Sequence, residues 1–355
     1  MDEALKALRE RIDSIDDSIL QLVSERAGIA QQVGHTKKGE KIYRPEREAQ
    51  IVRRLREANP GPLSGDVIER LIREVISACR ALEQTLRIAY LGPAGTFSQQ
   101  AVHKHFGHEA EALAEADIDA CFQAVETGRA DFAVVPVENS TEGAIARTLD
   151  LIVSSPLKIC SEVMLPIHQA LMRKHPGMEG IQRVYGHAQS LAQCQKWLGR
   201  HLPSAERVNV VSNSDGARRA AAEPDAATLG SATAAELYGL SVVEARVEDE
   251  VSNTTRFLVL GKADAAPSGR DKTSLVMGAH NQPGAVVKLL QPLAEAGISM
   301  SKLESRPARG SNWEYLFFVV CNGHRKDPEL AAALREIEAR AAFLKVLGSY
   351  PAATS

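Results

Sequence analysis

The sequence predicts a multidomain chain in three textures: an all-α segment over residues 1–86, an α/β segment over 87–262 and a βαββαβ unit over 272–350. Three observations predict it. Apolar residues first recur every three or four positions, then short β-type runs alternate with turn-and-helix signals, and a Gly/Ala/Pro-rich stretch precedes the last unit. A length of 355 residues is too great for one core. With 44% apolar and 25% charged residues the composition is that of a globular protein. A net charge of −3 excludes a general nucleic-acid or anionic-membrane binder. No apolar run reaches the roughly 18 residues that a membrane span needs. MDEALKALRE, acidic and amphipathic, does not read as a signal peptide, so a cytoplasmic location is expected. The five cysteines stand far apart without a CxxC, which suits reduced core thiols and no metal.

In the first segment Leu5, Leu8, Ile12, Ile15, Ile19, Leu22, Ile29 and Val33 form a sustained heptad seam on one long helix. Pro45 opens a second helix carrying Ile51, Val52 and Leu55, and Pro60-Gly61-Pro62 ends it. Asp66 and Glu69 form an expected capping box for a third helix running to Leu86. Such unequal helices hide their apolar faces poorly alone, so a helical homodimer is expected. The second segment repeats strand, turn and helix: RIAYLG/GTFSQQAVHKHF, DFAVVP/ENSTEGAIARTLDLI, VYG/HAQSLAQCQKWL, VNVVS/NSDGARRAAA and ATLG/SATAAELYG. Largely parallel sheets follow, with ligands beyond the strand ends where helix N-termini gather. Gly261 to Arg270 reads as a linker. SLVMGA, Gly284–Ala296, ISMSKLES, WEYLFFVV, Pro328–Ala342 and FLKVLGSY then give the ferredoxin-like order.

The first seam is interrupted. Four residues after Leu22 stands Arg26, a guanidinium where a coiled coil wants a hydrophobe. A buried ion pair with another helix explains it blandly; an anion-binding cavity explains it functionally. Lys37, Arg47, Glu48 and Glu83 fall on the same kind of face, and Arg9 flanks the seam. Arg9 lies about 26 Å from Arg26 along one helix at roughly 1.5 Å per residue. If both touch one small ligand, an antiparallel partner helix must supply Arg9.

The run LRERIDSIDDSILQLVSERAGIAQQVGHTKK…YRPEREAQIVRRL…EVISACRALEQ resembles the all-helical, intertwined dimeric chorismate mutases. The resemblance implies rearrangement of chorismate to prephenate without covalent intermediate or cofactor. Arg9 of a neighbouring subunit, Arg26 and Arg47 would hold the carboxylates, Lys37 and Glu83 would flank the ether oxygen, and Glu48 would take the hydroxyl. A pericyclic reaction needs only a compressed conformer and cations where charge develops. Glu83 stands where many relatives have Gln, and a carboxyl donates only when protonated, so the mutase rate should fall as pH rises. Arg44 and Cys79 also depart from common Asp and Ser.

In the α/β segment, Thr96-Phe97-Ser98, Glu138-Asn139-Ser140, Ser212-Asn213-Ser214 and Ser231-Ala232-Thr233 place hydroxyls and amides at expected helix starts. Singly these read as N-caps; together they suit a carboxylate-binding cleft. GPAGTFS lacks the Lys-Ser/Thr of a phosphate loop, and no GxGxxG occurs, which disfavours nucleotides. Asn253-Thr254-Thr255-Arg256-Phe257 begins a strand with Thr255 and Phe257 on one face and Arg256 on the other. β-propensity and a surface charge account for that run as it stands. GPAGTFS, VVPVENSTEG, GHAQSLAQC, LGSATAAELYGL and NTTRF, in this order, are similar to the prephenate dehydratases. This implies a two-lobed domain resembling type II periplasmic-binding folds. It also implies loss of CO2 and the ring hydroxyl to give phenylpyruvate, with Thr255 as the acid within a hydrogen-bonded network. Thr96, Ser98, Glu138, Asn139 and Gln193 would lie near it, and Arg256 or helix N-termini would hold the carboxylates. Gly186 stands where some relatives have Ser.

In the last unit Gly284-Ala285-Val286-Val287 and Glu304-Ser305-Arg306-Pro307 read plainly as a helix start and a polar strand end. The pair resembles the phenylalanine-binding motifs of ACT domains, implying that L-phenylalanine binds between two such domains and inhibits the dehydratase, in a homodimer or larger homo-oligomer. Two alternatives are a non-catalytic sensor with a helical dimerisation arm and a dehydratase that has lost the mutase.

Overall fold

The computed structural model describes residues 2–36, 43–250, 252–279, 282–307 and 315–353. The first segment forms α1 (Asp2–Thr36), α2 (Pro45–Glu57) and α3 (Gly65–Ala81). The cap of α3 corrects the sequence expectation: Ser64 Oγ accepts from Val67 N–H, while Asp66 and Glu69 turn to Arg56 at 2.9 and 2.7 Å. A guanidinium neighbour outcompetes the capping box, and α3 ends before Leu82. The seam of α1 stays uncovered in one chain, its eight apolar residues being 45–65% exposed.

The α/β segment folds as two lobes. The first contains β1 (Arg87–Leu91), α4 (Phe97–Phe106), β2 (Glu111–Glu115), α5 (Ile118–Glu126), β3 (Phe132–Asn139), β4 (Gly143–Ala144), α6 (Ala146–Ser154) and β5 (Lys158–Pro166). The second contains β6 (Ala170–Arg173), β7 (Arg183–Gly186), α7 (Ala188–Gln193), α8 (Gln195–His201), β8 (Glu206–Asn209), α9 (Asn213–Ala222), β9 (Ala226–Gly230), α10 (Ala232–Tyr238) and β10 (Ser241–Glu244). The chain then returns to the first lobe as β11 (Thr254–Gly261), between β3 and β5. The strand orders are β2-β1-β3-β11-β5 and β10-β6-β9-β7-β8. The expectation of largely parallel sheets is corrected, because returning β11 runs antiparallel to both neighbours, as β6 does to β9 and β10. The two crossings between lobes are bonded to each other, Ile167 N–H to Asn253 O at 2.8 Å and Val247 N–H to Gln169 O at 2.9 Å.

The last unit holds β12 (Asp271–Gly278), α11 (Ala285–Glu295), β13 (Met300–Pro307), β14 (Tyr315–Asn322), α12 (Pro328–Arg340) and β15 (Phe343–Pro351), in the antiparallel order β13-β14-β12-β15. This is the ferredoxin-like arrangement the sequence order predicts. One face of the sheet packs Leu275, Met277, Val319 and Cys321 on the two helices. The other puts Val276, Phe318, Leu347 and Tyr350 into the first-lobe core beside Val135, Val137, Leu258 and Leu260. Burial of each such side chain contributes roughly 1.5–3 kcal/mol. Gly348 permits this closeness, since a Cβ there would collide with the backbone of Ile159. The stretch expected as a free linker is pinned: Ser268 Oγ donates to Asp271 at 2.7 Å and its carbonyl accepts from Arg53 of α2 at 3.2 Å. Among the described residues no helix is long and apolar enough to cross a membrane.

Candidate active sites

Between the lobes lies a cleft of about 950 Å³. Its floor is the pair of crossings and the beginning of β11. Alternation on β3 would aim Glu138 into this cleft and Asn139 away from it, because Ala133, Val135 and Val137 face the last unit. A bulge at Val137 reverses this: Arg256 pairs with Glu138 while Phe257 pairs with Pro136, leaving Val137 unmatched. Past the bulge Asn139 lines the cleft and Glu138 points to the opposite face.

Asn139 is fixed by its bonds. Its Oδ1 accepts from Thr141 N–H at 3.0 Å, Thr141 Oγ1 at 2.6 Å and Glu142 N–H at 3.3 Å. Its amide nitrogen therefore donates, to Asn253 Oδ1 at 2.8 Å and Thr255 Oγ1 at 2.9 Å. Thr255 accepts this bond with its oxygen, so its own proton is left to donate, and the cleft lies before it. Among the described residues buried Asn253 Nδ2, Gln169 Oε1 and Ser214 Oγ have no hydrogen-bond partner, and all three residues line the cleft. Desolvated groups of this kind call for a polar occupant or water.

Ser98, Thr96 and Gln193 also line the cleft. Thr96 caps α4 by position and donates to Leu91 O at 3.3 Å; Gln193 Oε1 accepts from Gln169 at 3.2 Å. Of the four expected capping motifs only Ser212 caps a helix with its side chain, accepting from Asp215 N–H. Glu138-Asn139-Ser140 starts no helix but a turn. Ser231 Oγ donates across the cleft to Gly95 O at 2.8 Å, tying the lobes together. The N-termini of α4 and α9 face the same space, a setting for anions.

Two expected cleft residues lie elsewhere. Arg256 is buried on the opposite face of β11, donating to Glu162 at 2.8 Å and to Tyr350 Oη at 2.9 Å. Burial opposes its charge, but Tyr350 and Glu162 more than offset this and hold its pKa above the ordinary guanidinium value. Glu138 sits 2.9 Å from Lys302 and 3.9 Å from Arg256. Neither residue lines the cleft, whereas the N-termini of α4 and α9 do. Gln169 was not singled out from sequence; Ser214 and Asn253 stand in the quoted Ser212-Asn213-Ser214 and NTTRF runs, but the bond of Asn253 to Asn139 gives no sequence signal. Gly186 has no room for a serine without displacing Leu191, whose Cγ lies 3.1 Å from an added Cβ.

In the helical segment Arg26 is half-buried and donates to Val75 O at 3.5 Å. Glu83 packs against Gly34 of α1. Glu48 pairs with Arg80 at 2.5 Å, and the same guanidinium donates to Phe106 O at 2.7 Å, so one acid expected at a substrate is engaged by a cation the sequence reading missed. Arg47 and Arg9 are exposed. Lys37 lies outside the described residues. In the last unit Gly284 caps α11 at φ +75°, a left-handed conformation that favours glycine, with Ala285 and Val286 following and Val287 exposed. Glu304, Ser305, Arg306 and Pro307 form the end of edge strand β13, and Arg306 pairs with Asp150 of α6 at 3.2 Å.

These features define a class: two substrate-binding domains, one helical and one two-lobed, joined to a regulatory-type ferredoxin-like sheet. Family models described as chorismate mutase type II, prephenate dehydratase and ACT domain match residues 8–84, 88–265 and 273–339. The chain is 52% identical to the bifunctional chorismate mutase/prephenate dehydratase of Neisseria gonorrhoeae over 99% of this chain and 98% of that one. Among solved structures, a prephenate dehydratase of Arthrobacter aurescens in complex with L-Phe is 32% identical with TM-score 0.69, covering 75% of this chain and 90% of that chain. A protein described as a novel type of quorum quenching acylase is 29% identical with the same TM-score, covering 75% and 98%. The chain belongs to the family of bifunctional chorismate mutase/prephenate dehydratases.

Proposed function

We propose that this chain converts chorismate to prephenate in its helical segment and prephenate to phenylpyruvate in its cleft, under inhibition by L-phenylalanine. The observation that carries the reading is the oriented Asn139–Thr255 pair on the floor of a cleft rimmed by helix N-termini. In the cleft reaction the ring carboxylate leaves as CO2, its electron pair makes the ring aromatic, and hydroxide departs from the far carbon. Thr255 donates to that oxygen as it leaves, Asn139 keeps the proton directed, and the N-termini of α4 and α9 face the carboxylates. A free threonine hydroxyl is too weak an acid to act outside such a network.

The mutase site is completed by a second copy of the chain. The exposed seam of α1 gives that copy its apolar footing, and Arg9 arrives from it opposite Arg26. L-Phenylalanine is taken up around Gly284–Val287 and Glu304–Pro307. Five buried cysteines outside any disulfide suit a cytoplasmic location. The deciding experiment supplies chorismate to the purified chain and follows prephenate and phenylpyruvate with and without L-phenylalanine. Prephenate without phenylpyruvate refutes the dehydratase assignment, no consumption of chorismate refutes the mutase, and an unchanged rate with L-phenylalanine refutes the regulation. Light scattering that shows a monomer at micromolar concentration refutes the shared site.

A further inference from the structure

The residues alternating with Asn139 and Thr255 form an ionic chain on the back of the catalytic strands, buried at Arg256 and Glu162 and partly exposed at Glu138. Lys302 of β13 meets Glu138 at 2.9 Å, Glu138 lies 3.9 Å from Arg256, and Arg256 donates to Glu162 at 2.8 Å. Glu162 also receives Lys272 of β12 at 2.7 Å, and Tyr350 of β15 accepts from Arg256 and bonds Ser274 at 2.6 Å. The ferredoxin-like sheet thus touches the immediate neighbours of both cleft residues. Its grip extends to α6, whose last carbonyls accept from Lys345 Nζ at 2.6–3.0 Å.

Lys302, Glu304 and Arg306 share the half-buried face of β13, and two of them end on first-lobe acids. The Lys302 side chain is only 12% exposed, so its ammonium is poorly hydrated and depends on Glu138. Glu138 in turn belongs to the bulge that decides whether Asn139 faces the cleft. A bulge is a discrete feature: a one-residue change of register turns the following side chains to the other face. With Lys302 gone, Glu138 is free to close on Arg256, and the aim of Asn139 loses one of its supports.

We propose that Lys302 is a positioning residue for the dehydratase cleft, acting through Glu138 and the Val137 bulge on Asn139 and Thr255, and that β13 uses it to report phenylalanine occupancy. The second half rests on the reading that L-phenylalanine binds at β13; the first half rests only on the assignment of Thr255. An effector acts only through a difference in contacts between two states, and this ion pair is a contact of β13 itself, one residue from Asn139, that such a difference would alter.

The test compares full-length Lys302→Met, Lys302→Arg and Glu138→Gln with the parent. Dehydratase kcat and KM are measured with prephenate, with mutase turnover as a check of folding and calorimetry for L-phenylalanine binding. Lys302→Met is expected to lower dehydratase kcat about fivefold or more with little change in KM, and Lys302→Arg to restore it. At saturating L-phenylalanine, residual activity relative to the uninhibited rate should rise about fivefold or more in Lys302→Met, although the amino acid still binds. Adding Glu138→Gln to Lys302→Met should change little further. A folded Lys302→Met enzyme with the parent's kcat and inhibition depth overturns the proposal. A parent that does not bind L-phenylalanine overturns the regulatory half and the binding reading together, while kcat still decides the positioning half. Should Lys302→Met lose mutase turnover too, Glu138→Gln is judged by the same two readouts.

Discussion

The helical segment and the two-lobed cleft solve the binding of related dianions in opposite ways. The cleft is complete in one chain: its floor residues are buried, mutually bonded and aimed before any ligand arrives. The helical segment supplies Arg26, Glu48 and Glu83 around one end of α1, while most of that helix stands uncovered and Arg9 is far away. Each follows from its local architecture. Strands that cross twice between lobes bring distant residues together within one fold, whereas a single 35-residue helix cannot fold back on itself, so the proposed meeting of Arg9 and Arg26 calls for another copy. A site inside one fold is broken by changing an atom; a site between chains is also broken by separating them.

The largest effect expected from this contrast is on the cleft. Thr255→Ala should lower dehydratase kcat by about a hundred- to ten-thousand-fold, the usual range for losing a positioned proton donor. Mutase turnover should be untouched. A folded variant that keeps dehydratase activity removes Thr255 from the mechanism. On the helical side, Arg9→Ala and Arg26→Ala should each abolish mutase turnover, yet refolding the two together should return about a quarter of the parental sites, because half the dimers are hybrids with one intact site of two. No recovery on mixing means that Arg9 and Arg26 do not meet across chains.

The sequence showed the seam of α1, its interruption at Arg26 and the ferredoxin-like order, because each depends on a period that strand or helix geometry imposes directly; NTTRF stood out only through its resemblance to the prephenate dehydratases. It did not show the facing of Glu138. Strict alternation assigns a face to every residue, but the unmatched Val137 is decided by pairing with β11, more than a hundred residues on. Arg256 was correctly set opposite Thr255, yet its role was misread, since only the docking of β15 reveals Tyr350 and Glu162 as its partners. Arg80 was hidden for the same reason: its acid lies on another helix and its carbonyl acceptor in another domain. Even β2 had no signal, as Glu111–Glu115 is rich in helix formers and becomes a strand through pairing with β1.

A subtler difference lies in the donor each site offers its substrate. Glu83→Gln puts an amide N–H donor at the position proposed to face the substrate ether, and mutase turnover should be kept or raised. Loss of turnover in that folded variant refutes the donor role.

The smallest effect concerns the junction behind the cleft. Burial opposes the charge of Glu162, but Arg256 and Lys272 outweigh it and hold its carboxyl below the ordinary range. A depressed carboxyl stabilises the fold at pH values above its unfolded pKa, and that contribution is lost as pH falls through the folded value. Glu162→Gln should therefore melt below the parent at pH 7, leaving buried Arg256 and half-buried Lys272 without their anion. The gap should narrow once the pH drops below the usual carboxylate range, where the parent also loses the charge. Melting curves of both proteins across that range decide it: a gap that stays constant with pH would mean that Glu162 holds the sheet to the lobe by shape and not by charge.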